Sequence, residues 1–495
     1  MRARTLTLLT CATALATTSP AQVPTLIKDI NPTGTSNVVF LTCFGSGFYF
    51  SATDGVNGIE LWKSDGTEAG TVMVKDLNAG AGHGNPSNFM MFNGMHHFTA
   101  TDGINGLQLW RTDGTEAGTQ VVLSIADVAG LIDWAEFAVL GDRIFFRGRD
   151  AAHGAELWST DGTAAGTQLF LDIYPGATNS GVDDPLAFDG QLYFEAFDGT
   201  NGPEPWICDG TLAGTHMIAE TVPGNGSPGT TPSLFTAAGG LVFFRAGTSA
   251  TGDELWVTDG TEAGTGLVRD IYPGTNSSLP SYLIEHNGQL HLRAFPTAGS
   301  STALIWQSDG TQSGTVSLPT FGYTNPDHIC SHDGALYFTA LGAGNRQLWR
   351  TDGTAPGTSE ILFPGSDVIS PFSNATAMMS CNGDLFFRAN YTTAVGQELY
   401  TLSLPTGSPE HTEDNIQLYP NPATDEFWID IGAASAGPAT VIVRDLLGRT
   451  IVVLGPITAN GSGQYVVQLG AVAPGTYLLD LQLGDRRWSR RIVKA

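Results

Sequence analysis

Glu60-Leu61-Trp62-Lys63-Ser64-Asp65-Gly66-Thr67-Glu68-Ala69-Gly70-Thr71 is the stretch from which the fold can be read. A short β-prone run ends in Asp-Gly-Thr, in which Asp caps local N–H groups and Gly accepts positive φ. The pattern returns at Trp110, Trp158, Trp206, Trp256, Trp306 and Trp349, at spacings of 48, 48, 48, 50, 50 and 43, and Tyr400 stands 51 residues further on. Each tryptophan is followed by its own turn, from Asp65-Gly66-Thr67 to Asp352-Gly353-Thr354. Self-similarity at a period near 40–50 residues signals a repeat architecture.

Working outward from that turn, each period holds four short strand candidates. In the fourth period they are Leu192-Tyr193-Phe194, Glu204-Pro205-Trp206-Ile207, His216-Met217-Ile218-Ala219 and Ser233-Leu234-Phe235. All are rich in aromatic and β-branched residues and bounded by turn residues. Asn93-Gly94, Asp189-Gly190, Asn287-Gly288 and Asn382-Gly383 suit two-residue hairpins. Longer segments such as Pro273-Gly274-Thr275-Asn276-Ser277-Ser278 have the reach to cross from one blade to the next. This frame predicts an all-β, eight-bladed β-propeller, with seven blades as the alternative count. The last blade, ending near Tyr400, lacks an outer strand, and Thr25-Leu26-Ile27-Lys28-Asp29-Ile30-Asn31-Pro32 resembles the missing one. Pairing the two chain ends would remove an exposed sheet edge.

The ends and the composition say where such a protein works. Arg2 and Arg4, the apolar run Leu6 to Ala16 and Ser19-Pro20-Ala21 read as a signal peptide over residues 1–21. No later run reaches the length of a membrane helix, so no transmembrane segment is expected. Gly accounts for 62 of 495 residues and charged residues for only 14%, as suits a turn-rich exported β-protein. Residues 22–415 carry 13 Lys/Arg against 42 Asp/Glu, a net charge near −29, which makes nucleic acid an unsuitable partner. Cys43, Cys208, Cys330 and Cys381 show no Cys-x-x-Cys spacing, so no zinc site is indicated. A chain of this size can bury a core without bridges, and free buried thiols are the expectation for all four.

The repeats over Thr25 to Leu404 resemble the E-L-W-x-x-D-G-T repeat family of exported bacterial proteins. Departures at Leu304-Ile305-Trp306, Glu204-Pro205-Trp206 and Glu398-Leu399-Tyr400 weaken any idea of one ligand site per blade. Past a polar linker at 405–415, the pattern changes to longer alternating strands that predict a small Ig-like β-sandwich over 416–495. This segment resembles the type IX secretion sorting domain, on the residues Tyr419-Pro420-Asn421-Pro422-Ala423-Thr424-Asp425, Val443-Arg444-Asp445 with Gly448-Arg449, Pro474-Gly475-Thr476-Tyr477 and Arg491-Ile492-Val493-Lys494. The resemblance implies a sorting motif carried by Pro420, Asn421, Pro422, Asp425, Asp445, Gly448, Gly475, Tyr477 and Lys494. It also implies the type IX machinery as partner and delivery to the cell surface or the extracellular space.

Candidate sites are fewer. The Asp-Gly-Thr aspartates and the tryptophans are explained by turn capping and packing. The position after each L-Y-F strand reads Ser51, Thr99, Arg147, Glu195, Arg245, Arg293, Thr339 and Arg388. Glu156, Glu254 and Glu398, across the hairpin, are read as cross-strand ion-pair partners of Arg147, Arg245 and Arg388. Two blades break that rule: Arg293 faces Leu304 and is read as unpaired, while Glu195 faces the like-charged Glu204. Glu195, Glu204, Arg293 and the loop residue Asp198 are therefore the candidate ligand or cation residues, with calcium the cation considered and no other cofactor implied. They lie on the face whose loops vary, opposite the face of uniform turns. No G-x-S-x-G, H-E-x-x-H or P-loop pattern occurs. The expected function is a monomeric, non-catalytic surface protein that binds a glycan or protein ligand. A secreted propeller-type glycoside hydrolase or lyase is the alternative.

Overall fold

The repeat folds from its turn outward. Asp65 Oδ1 accepts the Thr67 backbone N–H at 2.9 Å and the Thr67 hydroxyl at 2.7 Å. Thr67 Oγ1 accepts the Gly70 N–H at 3.0 Å, and the Thr71 hydroxyl donates to the Thr67 carbonyl at 2.6 Å. Gly66 sits at φ +90°, and a Cβ on Gly70 would lie 2.0 Å from Asp65 Oδ1. Every repeated position of Asp-Gly-Thr-x-x-Gly-Thr thus has a local job. The aspartate cap recurs at Asp113, Asp161, Asp209, Asp259, Asp309 and Asp352.

The computed structural model describes residues 24–45, 47–123, 131–221, 231–297, 300–342, 346–361, 378–389 and 396–402, and, towards the C-terminus, 417–419, 426–430, 439–444, 450–457, 464–469, 472, 475–483 and 486–494. The signal peptide at 1–21 and the linker at 405–415 lie outside the described residues, as do Pro420, Asn421, Pro422, Asp425, Asp445 and Gly448. The chain divides into two units, one spanning Val23–Ser403 and the other holding Leu404–Ala495.

In the larger unit the described residues form eight four-stranded antiparallel sheets. Seven are meanders of consecutive strands, as in the fifth: Ser233–Ala238, Leu241–Thr248, Gly252–Thr258 and Gly266–Arg269. The eighth is composite. Met378–Cys381, Asp384–Ala389 and Glu398–Leu402 are completed by Thr25–Lys28 from the chain start, with Thr25 opposite Thr401 and Leu26 opposite Tyr400. The first strands of successive sheets touch in order, and the first strand of the eighth sheet touches that of the first. The sheets therefore close on themselves with their first strands innermost, which is the β-propeller arrangement.

Packing follows the aromatic pattern. Phe50, Phe98, Phe194 and Phe244 are fully buried on the second strands. Their ring centroids lie 6.3–6.4 Å from Trp62, Trp110, Trp206 and Trp256, and Tyr400 takes the tryptophan's place 6.3 Å from Phe387. Each such phenylalanine contributes roughly 1.5–3 kcal/mol of burial. Trp110 and Trp206 spend their indole N–H on the carbonyls of Ala100 and Ala196.

The thiol expectation needs correcting. Cys208 and Cys330 are free and buried, but Cys43 and Cys381 form a disulfide with Cα atoms 5.6 Å apart. They are 338 residues apart in sequence and become neighbours only because the first strands of the first and eighth sheets adjoin.

The C-terminal unit has two antiparallel sheets, one of Gln417–Tyr419, Glu426–Asp430 and Gln464–Gln468, the other of Thr450–Ile457, Ala439–Arg444, Gly475–Leu483 and Arg486–Lys494. Ile429, Tyr465 and Val467 of the former and Val441, Val443 and Leu479 of the latter share one core. Tyr477 is buried in it, and the buried Lys494 donates from Nζ to the Leu469 carbonyl at 3.2 Å. Among the described residues no helix is long and apolar enough to cross a membrane.

Candidate binding face

The glutamates of the E-L-W motif do not pair with the arginines across the hairpin. Arg147 lies opposite Leu157 and Gly148 opposite Glu156; likewise Arg245 opposes Leu255 and Arg388 opposes Leu399. An offset of one residue puts two side chains on opposite faces of a sheet. Instead the glutamates turn into the junction between sheets. Glu60 accepts the N–H groups of Leu77 and Gly84, at 2.6 and 2.8 Å. Glu156 takes those of Ile173 and Ser180, and Glu254 those of Ile271 and Ser278, at the same separations of 17 and 24 residues. Glu398 makes the equivalent bonds to Ile30 and Ser36 across the chain ends, at 2.9 and 3.2 Å. Each of these carboxylates supplies the acceptor for a buried loop N–H, that of Leu77, Ile173, Ile271 or Ile30, and shares the second N–H with a backbone carbonyl, as Ser180 does with that of Ala155.

The arginines face the other way. The Ser51 hydroxyl donates to the Pro86 carbonyl, Arg147 Nη1 to that of Val182 at 3.2 Å, and Arg388 Nη1 to that of Val38 at 3.2 Å. Every acceptor belongs to the next sheet round, so this position stitches neighbouring sheets together. Arg147 also meets Asp183 at 3.5 Å.

The four residues singled out from the sequence are not brought together. Glu204 opposes Ala196, and Glu195 opposes Pro205, so the two glutamates occupy opposite faces and do not confront each other. Glu204 is fully buried and accepts the Thr221 N–H and hydroxyl, at 2.7 and 2.6 Å. Asp198 is engaged within its own loop by the N–H groups of Thr200 and Asn201 and the Asn201 amide, as Asp54 and Asp102 are in theirs. Arg293 is not unpaired: its Nε lies 3.1 Å from Asp327 Oδ1. Glu195 stands apart. It places a carboxyl where other sheets carry a donor, near Thr231, Asp183 and Asp184. Among the described residues no group of three or more His, Cys, Asp or Glu is arranged to hold a metal ion.

A feature invisible to the sequence reading rings the axis. Phe40, Asn88, Asp184, Leu234, Tyr282 and His328 occupy the same place on six first strands, all at φ between +52° and +62°. The register shifts at each, for example between Ser281 and Ile284 and between Asp327 and Cys330. These are bulges that hold non-glycine residues in the left-handed region, a conformation costing about 1–3 kcal/mol at each site. The backbone is uniform while the side chains are apolar, amide, acidic, phenolic and imidazole. A Pro-Ser or Pro-Asp dipeptide ahead of the bulge, as in Pro86-Ser87-Asn88 and Pro326-Asp327-His328, marks four of the six; Phe40 and Asp184 lack it. The bulges lie on the variable-loop face. The uniform-turn face has instead a cavity of about 290 Å³ between the fourth and fifth sheets, lined by Phe188, Tyr193, Ile207, Val242 and Gly260.

Burial sets the electrostatics of these carboxyls. It pushes Glu60 and Glu398 up to about 7, raises Glu156 and Glu254, and pushes Glu195 up to about 8. The Thr231 hydrogen bond opposes the Glu195 shift, and the charges of Asp183 and Asp184 add to it. A carboxyl raised on folding binds protons that the unfolded chain has released, so its stabilising share is complete below pH about 4.5 and is lost as pH rises through the folded value. Burial lowers the pKa of His96, His97, His286, His291, His328 and His332, which adds stability as pH rises to about 6.5, so the melting temperature is expected to fall between about pH 6.5 and 8.5 in constant ionic strength. A rising or level profile by calorimetry would show these glutamates ionised inside the fold.

No curated protein matches the chain. Among solved structures, apo prolyl oligopeptidase B from Galerina marginata matches with TM-score 0.44 and 13% identity, covering 73% of this chain and 56% of that one. The β-propeller domain of the Trilobed protease from Pyrococcus furiosus matches with TM-score 0.37 and 12% identity, over 67% of this chain and 99% of that one. The uncomplexed acylaminoacyl peptidase of Pyrococcus horikoshii gives 0.39 and 12%, over 81% and 59%. The chain thus spans little more than half the length of the two whole peptidases. Residues 417–495 match the family described as secretion system C-terminal sorting domain. This segment is the type IX sorting domain, and it directs the protein across the outer membrane to the cell surface or the extracellular space.

Proposed function

We propose that the exported protein is an eight-bladed propeller of E-L-W-x-x-D-G-T repeats that binds a surface glycan without catalysis, followed by an Ig-like sorting domain that engages the type IX machinery. The observation that carries the binding role is the ring of bulges: one strained backbone geometry bearing six different side chains, from Phe40 to His328. A fold needs uniform turns, and the Asp-Gly-Thr turns supply them on one face. Chemical variety held on a rigid, strained frame is what a ligand needs, and strain of this kind clusters at binding sites. A glycan array probed with the chain 22–495 tests the proposal. Retention of a defined glycan class, lost when Tyr282 and His328 are both replaced by Ala, is expected. A blank array, or retention indifferent to the double variant, would overturn it.

One observation favours the hydrolase or lyase reading. Glu195, pushed up to about 8, can carry a proton at neutral pH close to the carboxyls of Asp183 and Asp184, and a carboxyl protonated at neutral pH suits general acid work. Release of shorter sugars from the retained glycan, abolished by Glu195→Gln, would establish that reading over simple binding.

A further inference from the structure

We infer that the glycan is recognised through a terminal acidic sugar, a uronate, whose ring lies on Tyr282 and whose carboxylate is taken by the arginines beside Asp327. The inference rests on the binding role proposed above and names its substrate class.

The charge distribution is the first argument. In a domain with 13 basic residues against 42 acids, Arg293 from the sixth sheet and Arg346 from the seventh converge on a single carboxylate. Arg293 Nε lies 3.1 Å from Asp327 Oδ1 and Arg346 Nη1 lies 2.8 Å from Asp327 Oδ2. Two guanidiniums on one carboxylate leave a positive charge uncompensated, and the arginine side chains retain 16–19% exposure. Guanidinium groups bind carboxylates through paired, charge-assisted hydrogen bonds.

Donors without partners are the second. Ser281 lies opposite Arg293 and Ser233 opposite Arg245 in the neighbouring sheet. Both serine hydroxyls and Arg245 Nε are buried with no hydrogen-bond partner among the described residues. Unsatisfied buried donors are costly, and these three, beside the paired arginines, suit an oxygen ligand.

Tyr282 is the third. It is 38% exposed, held at φ +53°, with its ring centroid 5.2 Å from that of His328. A large aromatic kept in open view by a strained backbone offers the flat apolar surface on which a sugar's C–H face packs, with the carboxylate beside it meeting the arginines. The net charge near −29 of residues 22–415 repels a long polyanion at range, so a single acidic end group is the fitting form.

Calorimetric titration of 22–495 with a galacturonosyl-galactose disaccharide, with its methyl ester and with a glutamyl-glutamate dipeptide tests the inference. The free acid is expected to bind at least about ten-fold more tightly than the ester or the dipeptide. Tyr282→Ala should weaken the acid by a similar factor with unchanged melting, and Arg293→Gln should bring the acid to the level of the ester. Equal affinity for acid and ester, a dipeptide that binds as well, an acid that does not bind, or indifference to Tyr282→Ala would each overturn it. Retention of neutral glycans alone on the array would defeat the uronate and leave the binding role standing, whereas a blank array defeats both.

Discussion

A chain lacking residues 25–31 is expected to melt at least about 10 °C below the full chain. The deleted segment is the outer strand of the eighth sheet, and Ile27 and Ile30 are buried in a core with Phe50, Phe386 and Leu399. Losing two buried isoleucines costs about 2–5 kcal/mol each. Glu398, fully buried, loses its bond from the Ile30 N–H, which leaves an acceptor partly unsatisfied. A loss of this size rivals the net stability of a typical domain. Heating scans of the deletion and of Ile27→Ala check it together, because the point variant gives a smaller, graded shift even where the deletion fails to fold. Equal melting of all three chains would show that the ring does not depend on its composite sheet.

The other large effect concerns location. Without residues 416–495 the protein is expected to stop in the periplasm, and residues 405–495 joined to a neutral cargo should carry that cargo to the cell surface. The terminal hairpin explains why partial truncation should act like full removal. Gly475–Leu483 and Arg486–Lys494 pair along their whole length, from Gly475 opposite Lys494 to Leu483 opposite Arg486. Removing the last strand unpairs the strand that carries Tyr477 and Leu479 into the core, and takes away the Lys494 bond to Leu469. Protease shaving of intact cells distinguishes the outcomes, and surface display of the truncated chain would sink the sorting role.

What could be read from the sequence was whatever is local or repeated. The Asp-Gly-Thr turn is legible because its bonds join residues two to four apart. The composite sheet is legible because Asp29-Ile30 copies Asp270-Ile271. Long-range consequences were not. Counting nine residues from Arg147 to Glu156 suggested an ion pair, yet register puts Gly148 opposite that glutamate, and one step changes the face. The residue types of Phe40, Leu234 and Tyr282 avoid positive φ, and without a recognised meaning for the Pro-Ser that precedes the latter two, only the ring reveals it. Of the polar candidates, Glu195 kept an unusual environment because it departs from a donor position that its neighbours share, and Arg293 because Arg346 joins it on Asp327.

The Cys43–Cys381 bridge has a consequence for a protein working among extracellular proteases. Backbone and disulfide together form a covalent macrocycle spanning 338 residues of sequence. A single cut in any loop between those cysteines opens the macrocycle and releases no fragment, so both cut ends stay tethered to the same molecule. Surface loops are the preferred places for such nicks. A single nick at the variable face between Cys43 and Cys381 would therefore leave a full-length species on non-reducing gels and two pieces after reduction, with the eight sheets still held in one particle.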